Sequence, residues 1–396
     1  MGQTSHVTGP DAVPLIHWIE DGQAFEARWL SPGGMPPPTR VVVADGKMKA
    51  DEAYGLACQG TALLWRGDFQ EARQLLNALG RRADRRRQRT TRSRSRGAEA
   101  DSALAQVFHL HRQGQAQRAR TLNALLVPLE PDYAIPLRRA PDMRQACVEA
   151  FGPAETASVT SLRALLGAIG AHEWRTKGIE IPEAGGRIHP HYGVFAPIRR
   201  EYVDLVSTTP LPEACAATSL AFDVGTGTGV LAAVLARRGI ERVIATDLDP
   251  RALICARENV DRLGLAPRIE VLRADLFPEG RAALVVCNPP WIPARPSSAT
   301  EHGIYDPESR MLRGFLAALP DHLVAGGEGW LILSDLAEHL GLRTRAQLLE
   351  EFAAAGLRVV ERHDVRPRHP RAADQSDALH AARAAEVTSL WRLAAR

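Results

Sequence analysis

The chain has 396 residues, 45% of them hydrophobic and 24% charged, with a formal net charge of +3, which is length and apolar content for two or three domains with real cores. No apolar run approaches the ~20 residues of a membrane span, and no basic-then-apolar leader pattern opens the sequence. Cys58, Cys147, Cys215, Cys255 and Cys287 are scattered without a C-x-x-C pair, so neither a zinc site nor a disulfide frame is expected, and a reducing cytoplasm is the expected compartment.

Residues 1–40 show no sustained periodicity and are expected to be poorly structured, or at least poor in strand. Residues 41–155 read as a helical domain. Ala50 to Trp65 and Asp68 to Leu79 form an expected helix pair around Gly67; this resembles one tetratricopeptide-type hairpin, but no second copy follows near the ~34-residue period. Between Arg81 and Arg120 twelve arginines stand against Asp84, Glu99 and Asp101, a net +9 that leaves about −6 for the rest of the chain. The densest part, residues 81–97, has no apolar face and reads as a mobile arm, either a partner for polyanions through phosphate contacts or a solvated linker. Only Lys47, Lys49 and Lys177 are lysine. A helix from Ser102 to about Gln117 carries His109 and His111, which at i and i+2 cannot face one metal ion. Pro128, Pro131, Pro136 and Pro141 then break the chain ahead of a helix from Met143 to Ala150.

Residues 156–210 read as a connector. An amphipathic helix from Thr160 to Gly170 precedes two extended pieces, Gly178 to Ile181 and Arg187 to Phe195, around Glu183-Ala-Gly-Gly, which is a β-hairpin signal. His191, Tyr192, Phe195 and Arg199 are either the roof of a nearby site or hairpin packing.

From residue 211 onward strands and helices alternate. Ser219 to Val224 is a short buried strand holding Asp223, followed by Gly225-Thr226-Gly227-Thr228-Gly229 and a helix from Val230. Glycines there turn the chain sharply and let a ligand lie on bare backbone near a helix N-terminus. A second strand, Arg242 to Thr246, ends at Asp247, 24 residues beyond Asp223, where this topology places an acid for ribose hydroxyls. Asp249 and Pro250 read as N-cap and first residue of a helix to Leu263. A third strand, Ile269 to Arg273, ends near Asp275, which either faces a ligand or caps the turn before Pro278. A fourth, Ala283 to Cys287, runs into Asn288-Pro289-Pro290-Trp291; Cys287 itself reads as strand core. Glu308 to Val324 reads as a helix stopped by Gly326-Gly327, and Gly329 to Ser334, Leu357 to Arg362 and Val387 to Leu393 as three more strands around a helix from Arg345 to Ala355. Arg366, Arg368, His369, Arg371, Asp374 and Asp377 lie in a polar stretch between the last two, which either touches substrate or is a solvated loop.

A glycine loop alone is shared by nicotinamide-binding and methyl-donor-binding folds. Here the spacing is G-x-G-x-G, an acid precedes the first glycine and another follows the third strand, and on these residues with N-P-P-W the segment from about Ala221 to Arg396 resembles the class I methyltransferases. The resemblance implies an α/β fold: a Rossmann-like, doubly wound seven-stranded sheet over residues 211–396, with the last two strands antiparallel, beside a helical N-terminal domain and a β-hairpin connector. It implies S-adenosylmethionine as cofactor, held by Asp223, Gly225, Thr226, Gly227 and Gly229 at the methionine end, Asp247 and Leu248 at the ribose, and Asp275 and Leu276 near the adenine, with Asn288 alongside. Asn288, Pro289, Pro290 and Trp291 become the catalytic residues. Proteins with this tetrapeptide, usually ending in tyrosine, methylate the amino groups of nucleobases or the glutamine amide of release factors. Such a nitrogen is a poor nucleophile because its lone pair is delocalised; acceptors at the Asn288 oxygen and the Pro289 carbonyl would favour its pyramidal form, prolines would pre-aim them, and Trp291 would offer a face for stacking or pack into core.

The layout of helical unit, hairpin and N-P-P domain is similar to that of release-factor glutamine methyltransferases, although F-A-P-I-R-R-E-Y stands where they carry I-P-R-P-E-T-E. The expected activity is N-methylation of a planar NH2 on a macromolecule, RNA or DNA or a protein glutamine, with a ribosome-associated target fitting both clues and no metal or membrane involved. Two other readings remain at this point: a nicotinamide-dependent oxidoreductase, and a non-catalytic nucleic-acid-binding protein with a vestigial donor pocket.

Overall fold

The computed structural model describes residues 13–94, 102–296, 301, 303–367 and 379–396. The chain divides into two compact units, Met1–Gly97 with Arg112–His172, and Ala98–His111 with Glu173–Arg396.

The first unit is built on a sheet rather than on helices alone. Strands β1 (Leu15–Glu20), β2 (Gln23–Leu30), β3 (Val41–Ala44), β4 (Ala62–Trp65), β5 (Leu125–Leu129) and β6 (Ser158–Ser161) form a six-stranded mixed sheet in the order β1-β2-β6-β5-β4-β3. Helices α1 (Ala50–Cys58), α2 (Phe69–Arg94), α3 (Ser102–Asn123), α4 (Arg144–Phe151) and α5 (Leu162–Lys177) complete the N-terminal elements. One face of the sheet buries Leu63, Trp65, Leu125 and Val127 against Phe69, Leu79, Cys147 and Leu165. The other buries Ile16, Trp18, Trp29, Leu64 and Leu126.

This corrects the helical expectation for residues 41–155 and the strand-poor expectation for residues 1–40. A strand buried on both faces has no alternation to betray it, so A-L-L-W was indistinguishable from the end of a helix; Gly60, at φ +79°, stops α1 before it. The β1–β2 hairpin closes through Asp21 and Gly22 at φ 50° and 79°, with Glu20 paired to Gln23. The D-G pair between two aromatic-containing runs was its signal. The expected arm at 81–97 begins instead as the C-terminal part of α2, which continues to Arg94; residues 95–97 lie outside the described residues. Arg82 pairs with Asp51 and Arg118 with Asp84, so part of the basic charge is anchored on the unit's own acids.

In the second unit, β7 (Ile179–Ile181) and β8 (Gly186–Ile188) pair as the connector hairpin. Helices α6 (Glu201–Thr208) and α7 (Ala214–Ala217) lead into the main sheet, whose strands are β9 (Leu220–Val224), β10 (Arg242–Asp247), β11 (Ile269–Arg273), β12 (Ala282–Cys287), β13 (Leu323–Ser334), β14 (Leu357–Val365) and β15 (Thr388–Ala395). Their order is β11-β10-β9-β12-β13-β15-β14, with β15 antiparallel to both neighbours and the first five strands mutually parallel. Helices α8 (Val230–Arg237), α9 (Pro250–Arg262), α10 (Arg310–Ala318), α11 (Leu336–His339), α12 (Arg345–Ala354) and α13 (His380–Ala385) connect them. One face of the sheet packs on α6, α8 and α9 through Val203, Leu231, Val234, Ala256 and Val260. The other packs on α10 and α12 through Leu312, Phe315, Leu348 and Phe352.

Helix α10 ends at Ala318, short of the expected Val324, because Pro320 follows and the chain tightens into a 3-10 turn. Gly326 and Gly327 fall inside β13. Of the polar stretch between the last two strands, Arg368, His369, Arg371, Asp374 and Asp377 lie outside the described residues.

Candidate active site

The strand register builds the site. Val224, the last residue of β9, is partnered on one side by Thr246 and on the other by Cys287. Gly225, Asp247 and Asn288 therefore leave the sheet at one level, at the point where the chain order reverses between β9 and β12. In open α/β sheets this is where ligands bind.

The loop after β9 is held from beneath. The N–H groups of Gly225 and Thr226 both donate to the Thr246 carbonyl, at 2.9 and 2.8 Å. The Asp223 Oδ2 accepts the Thr226 hydroxyl at 2.6 Å and the Ala232 N–H at 3.0 Å, and Asp223 is only 1% exposed. Burial raises its carboxyl to about 6, against the lowering pull of those two hydrogen bonds. Gly225, Gly227 and Gly229 all sit in the left-handed region, at φ 73°, 55° and 80°, which glycine alone adopts without a steric penalty at Cβ.

Asp247 faces the loop. Its Oδ2 accepts the Gly227 N–H at 3.0 Å and its Oδ1 the Asp249 N–H at 2.9 Å; burial raises its carboxyl above the usual range while those bonds pull it down. Asp249 in turn caps α9, accepting the Arg251 N–H, with Pro250 at the first helical position.

A single cleft gathers Gly225, Thr226, Gly227, Asp247, Asn288 and Pro290. Its walls also include Gly193, Val194, Phe195 and Tyr202 before the sheet, Thr228 and Asp249 beside the loop, and Gly303 and Met311 after Asn288. Of these, Phe195 belongs to the group that the sequence offers as either a roof or hairpin packing. Tyr202 and Met311 carried no signal beyond their helical spacing, because each is set in place by its helix rather than by a motif. Met311 leads α10, whose Met311 and Leu312 N–H groups are capped by the buried Asp306 carboxylate. Glu308 and Ser309 just before it are left-handed, at φ 59° and 53°.

Other expected donor residues lie elsewhere. Asp223 and Gly229 are beneath the loop, with Gly229 pressed on the Ala256 backbone. Leu248 is 52% exposed, and Asp275 is exposed after β11. Leu276, at φ 75°, accepts the Thr246 hydroxyl on its carbonyl at 2.5 Å, so it secures a strand end. None of these five lines the cleft. Pro289 is buried and Trp291 half-buried. The Trp291 indole N–H donates to the Asn288 Oδ1 at 2.9 Å, and the Arg199 guanidinium lies over the indole, 5.0 Å from the ring centroid. Trp291 also packs on the apolar clusters of the sheet. One face of the ring is thus taken by Arg199 and the polar edge by Asn288. Cys287 is fully buried, and burial pushes its thiol well up, as a core residue. Among the described residues no cluster of His, Cys, Asp and Glu fits a metal ion.

The cleft fits an adenosyl donor on one local observation. A Cβ placed on Gly227 would meet nothing within 4 Å, so this backbone borders open space beside the Asp247 carboxylate, as a cradle that a side chain would fill.

Comparison with known proteins shows what the domain is similar to. Residues 209–290 match the family described as Ribosomal protein L11 methyltransferase (PrmA). The release factor glutamine methyltransferase of Cereibacter sphaeroides is 40% identical over 144 residues, covering 35% of this chain and 48% of that protein. Over these segments the chain is similar to S-adenosylmethionine-dependent methyltransferases. A ribosomal protein L11 methyltransferase from Pelotomaculum thermopropionicum is 49% identical over 69 residues, 17% of this chain and 22% of the relative. The matches to the methyltransferase domain thus span about half of the first relative's length and about a fifth of the second's. Among solved structures, the ribosomal protein L11 methylase of Lactobacillus delbrueckii subsp. bulgaricus aligns over 45% of this chain and 69% of its own at 18% identity and a TM-score of 0.30. No helix among the described residues is long and apolar enough to cross a membrane.

Proposed function

We propose that this protein transfers a methyl group from S-adenosylmethionine to the planar NH2 of a macromolecule. The observation that carries this reading is the shared cleft: Asn288 and Pro290 line the same space as Gly225, Gly227 and Asp247. S-adenosylmethionine, when bound, supplies an electrophilic methyl, so the protein's task is to place a nitrogen and exclude water. Gly225 and Gly227 would hold the methionine end against bare backbone, and Asp247 the ribose hydroxyls through the lone pairs that Gly227 and Asp249 leave free. Asp223 acts beneath the loop, and an adenine would extend past the cleft toward Asp275 and Leu276 after β11.

At the acceptor side, the Asn288 Oδ1 and the Pro289 carbonyl take the two N–H groups of the incoming amine. That pairing favours the pyramidal nitrogen over the planar, delocalised one. The two prolines fix φ and keep both oxygens in place. No general base of shifted pKa is needed, because the proton leaves after the methyl arrives.

The acceptor is a glutamine amide or a nucleobase amine. The first is supported by the identity to a release factor glutamine methyltransferase over 144 residues. The second is supported by the arginine run that continues α2 to Arg94. Tritium-labelled S-adenosylmethionine, incubated with the protein and an extract of cells lacking it, tests both. Label that survives nuclease and is lost to protease assigns the protein acceptor, and the converse assigns nucleic acid. No transfer to either, or calorimetric binding of NAD in place of S-adenosylmethionine, sinks the reading.

A further inference from the structure

Asn288 and Trp291 stand three residues apart in a loop stiffened by Pro289 and Pro290, and the indole N–H reaches back to the Asn288 Oδ1 at 2.9 Å. A carboxamide is nearly symmetric in shape but opposite in polarity at its two ends. Turned by half a rotation, it would present N–H donors where an acceptor amine also brings N–H donors. Indole is a donor only, so its bond selects the oxygen end and leaves that oxygen a second lone pair.

The indole is itself held. Arg199 lies over the ring at 5.0 Å, and its Nη1 donates to the Glu386 Oε1 at 3.0 Å. Glu386 is 4% exposed, and the same oxygen accepts the Ser334 hydroxyl at 2.7 Å. Among the described residues the Arg199 Nε and Nη2 are buried with no hydrogen-bond partner, and Glu386 is the one that hydrogen-bonds this guanidinium. A continuous set of contacts therefore runs from the end of β13 through Glu386, Arg199 and Trp291 to the amide at the end of β12.

We propose that Trp291 is a positioning residue, acting through its indole N–H to fix the Asn288 oxygen toward the acceptor, with Arg199 and Glu386 setting the plane of the indole. This rests on the methyl-transfer reading above. It changes the role of the fourth residue of the tetrapeptide from a face for the substrate to a hydrogen-bond donor within the loop.

Two measurements test it. The chain has seven tryptophans, and in a proton–nitrogen correlation spectrum of the full-length protein the indole signal missing from Trp291→Phe is that of Trp291. In Asn288→Ala this signal should shift and its proton should exchange faster with water; an unmoved signal overturns the proposal without touching the methyl-transfer reading. In the second, turnover is followed with tritium-labelled S-adenosylmethionine on ribosomal subunits and on release-factor protein from cells lacking the chain. Trp291→Phe keeps an aromatic ring and loses only the donor, so kcat should fall about three- to tenfold, the worth of one neutral hydrogen bond, with acceptor KM within about twofold. Full activity in Trp291→Phe with a raised KM in Trp291→Leu would assign a stacking face and overturn the proposal. Loss of the parent reading has a different signature, unchanged turnover in Asn288→Ala.

Discussion

The carboxylate of Asp247 is hydrogen-bonded to the backbone of Gly227, Oδ2 to N–H at 3.0 Å. The acid that ends β10 and the middle glycine of the loop after β9 are thereby one unit. Removing the carboxylate in Asp247→Ala leaves the Gly227 and Asp249 N–H groups without their acceptor and takes away the proposed ribose contact. Donor affinity, followed by calorimetry with S-adenosylmethionine, should fall at least about tenfold. Undiminished affinity would remove Asp247 from the donor site.

Gly225 and Gly227 should respond alike to alanine. At Gly227 the new methyl meets open space, and at Gly225 it meets only the flexible end of the Met311 side chain, which can swing aside. In both the fold bears the left-handed backbone penalty of roughly 1–2 kcal/mol, while donor binding is blocked. Thermal unfolding read beside donor titration checks this; a variant that keeps donor affinity would remove its glycine from the donor site.

Asp223 should give the fold a pH dependence of definite sign. Its carboxyl is raised to about 6 in the folded protein from 3.8, chiefly by burial. The folded state therefore binds the proton more tightly than the unfolded state. The stability this contributes is complete below pH 3.8 and is lost as pH rises to about 6, after which the difference is constant, on the order of 3 kcal/mol. Asp223→Asn cannot ionise. The melting-temperature gap between Asp223→Asn and the wild type should widen in favour of the variant across that window and stay level above it. A gap independent of pH would place the carboxyl in a better solvated setting.

Asn288→Ala should leave S-adenosylmethionine affinity within about twofold, since the glycine loop and Asp247 are untouched. Its kcat should drop by about a hundredfold or more, as expected when a preorganised transition-state contact is lost. Single-turnover transfer measured at saturating donor separates chemistry from binding.

The second unit was legible because its signals are local. Asp223 with three glycines, Asp249-Pro250, and an apolar run into Asn288 each mark a strand end or a helix start within a few residues. The ladder of β9, β10 and β12 then follows from topology. The first unit was opaque for the opposite reason. Its strands β4 and β5 are short and apolar on both faces, and Pro128 within β5 reads as a breaker. Of the cleft's lining, Gly225, Gly227, Asp247 and Asn288 were legible because they belong to motifs. Leu248 and Asp275 also follow strand ends but stand exposed outside that lining. The site was missed at Tyr202 and Met311, and at Glu386 as the partner of Arg199, because those positions are fixed by packing across long sequence separations.

The bond between Arg199 and Glu386 joins groups 187 positions apart, and it sets a timetable. During synthesis the glycine loop, its acid and the asparagine can all emerge and pack while Glu386 is still being decoded. Until that carboxylate leaves the ribosome, the guanidinium over Trp291 lacks the acceptor it has in the finished fold, so the glycine loop and the asparagine can be in place before the amide geometry is.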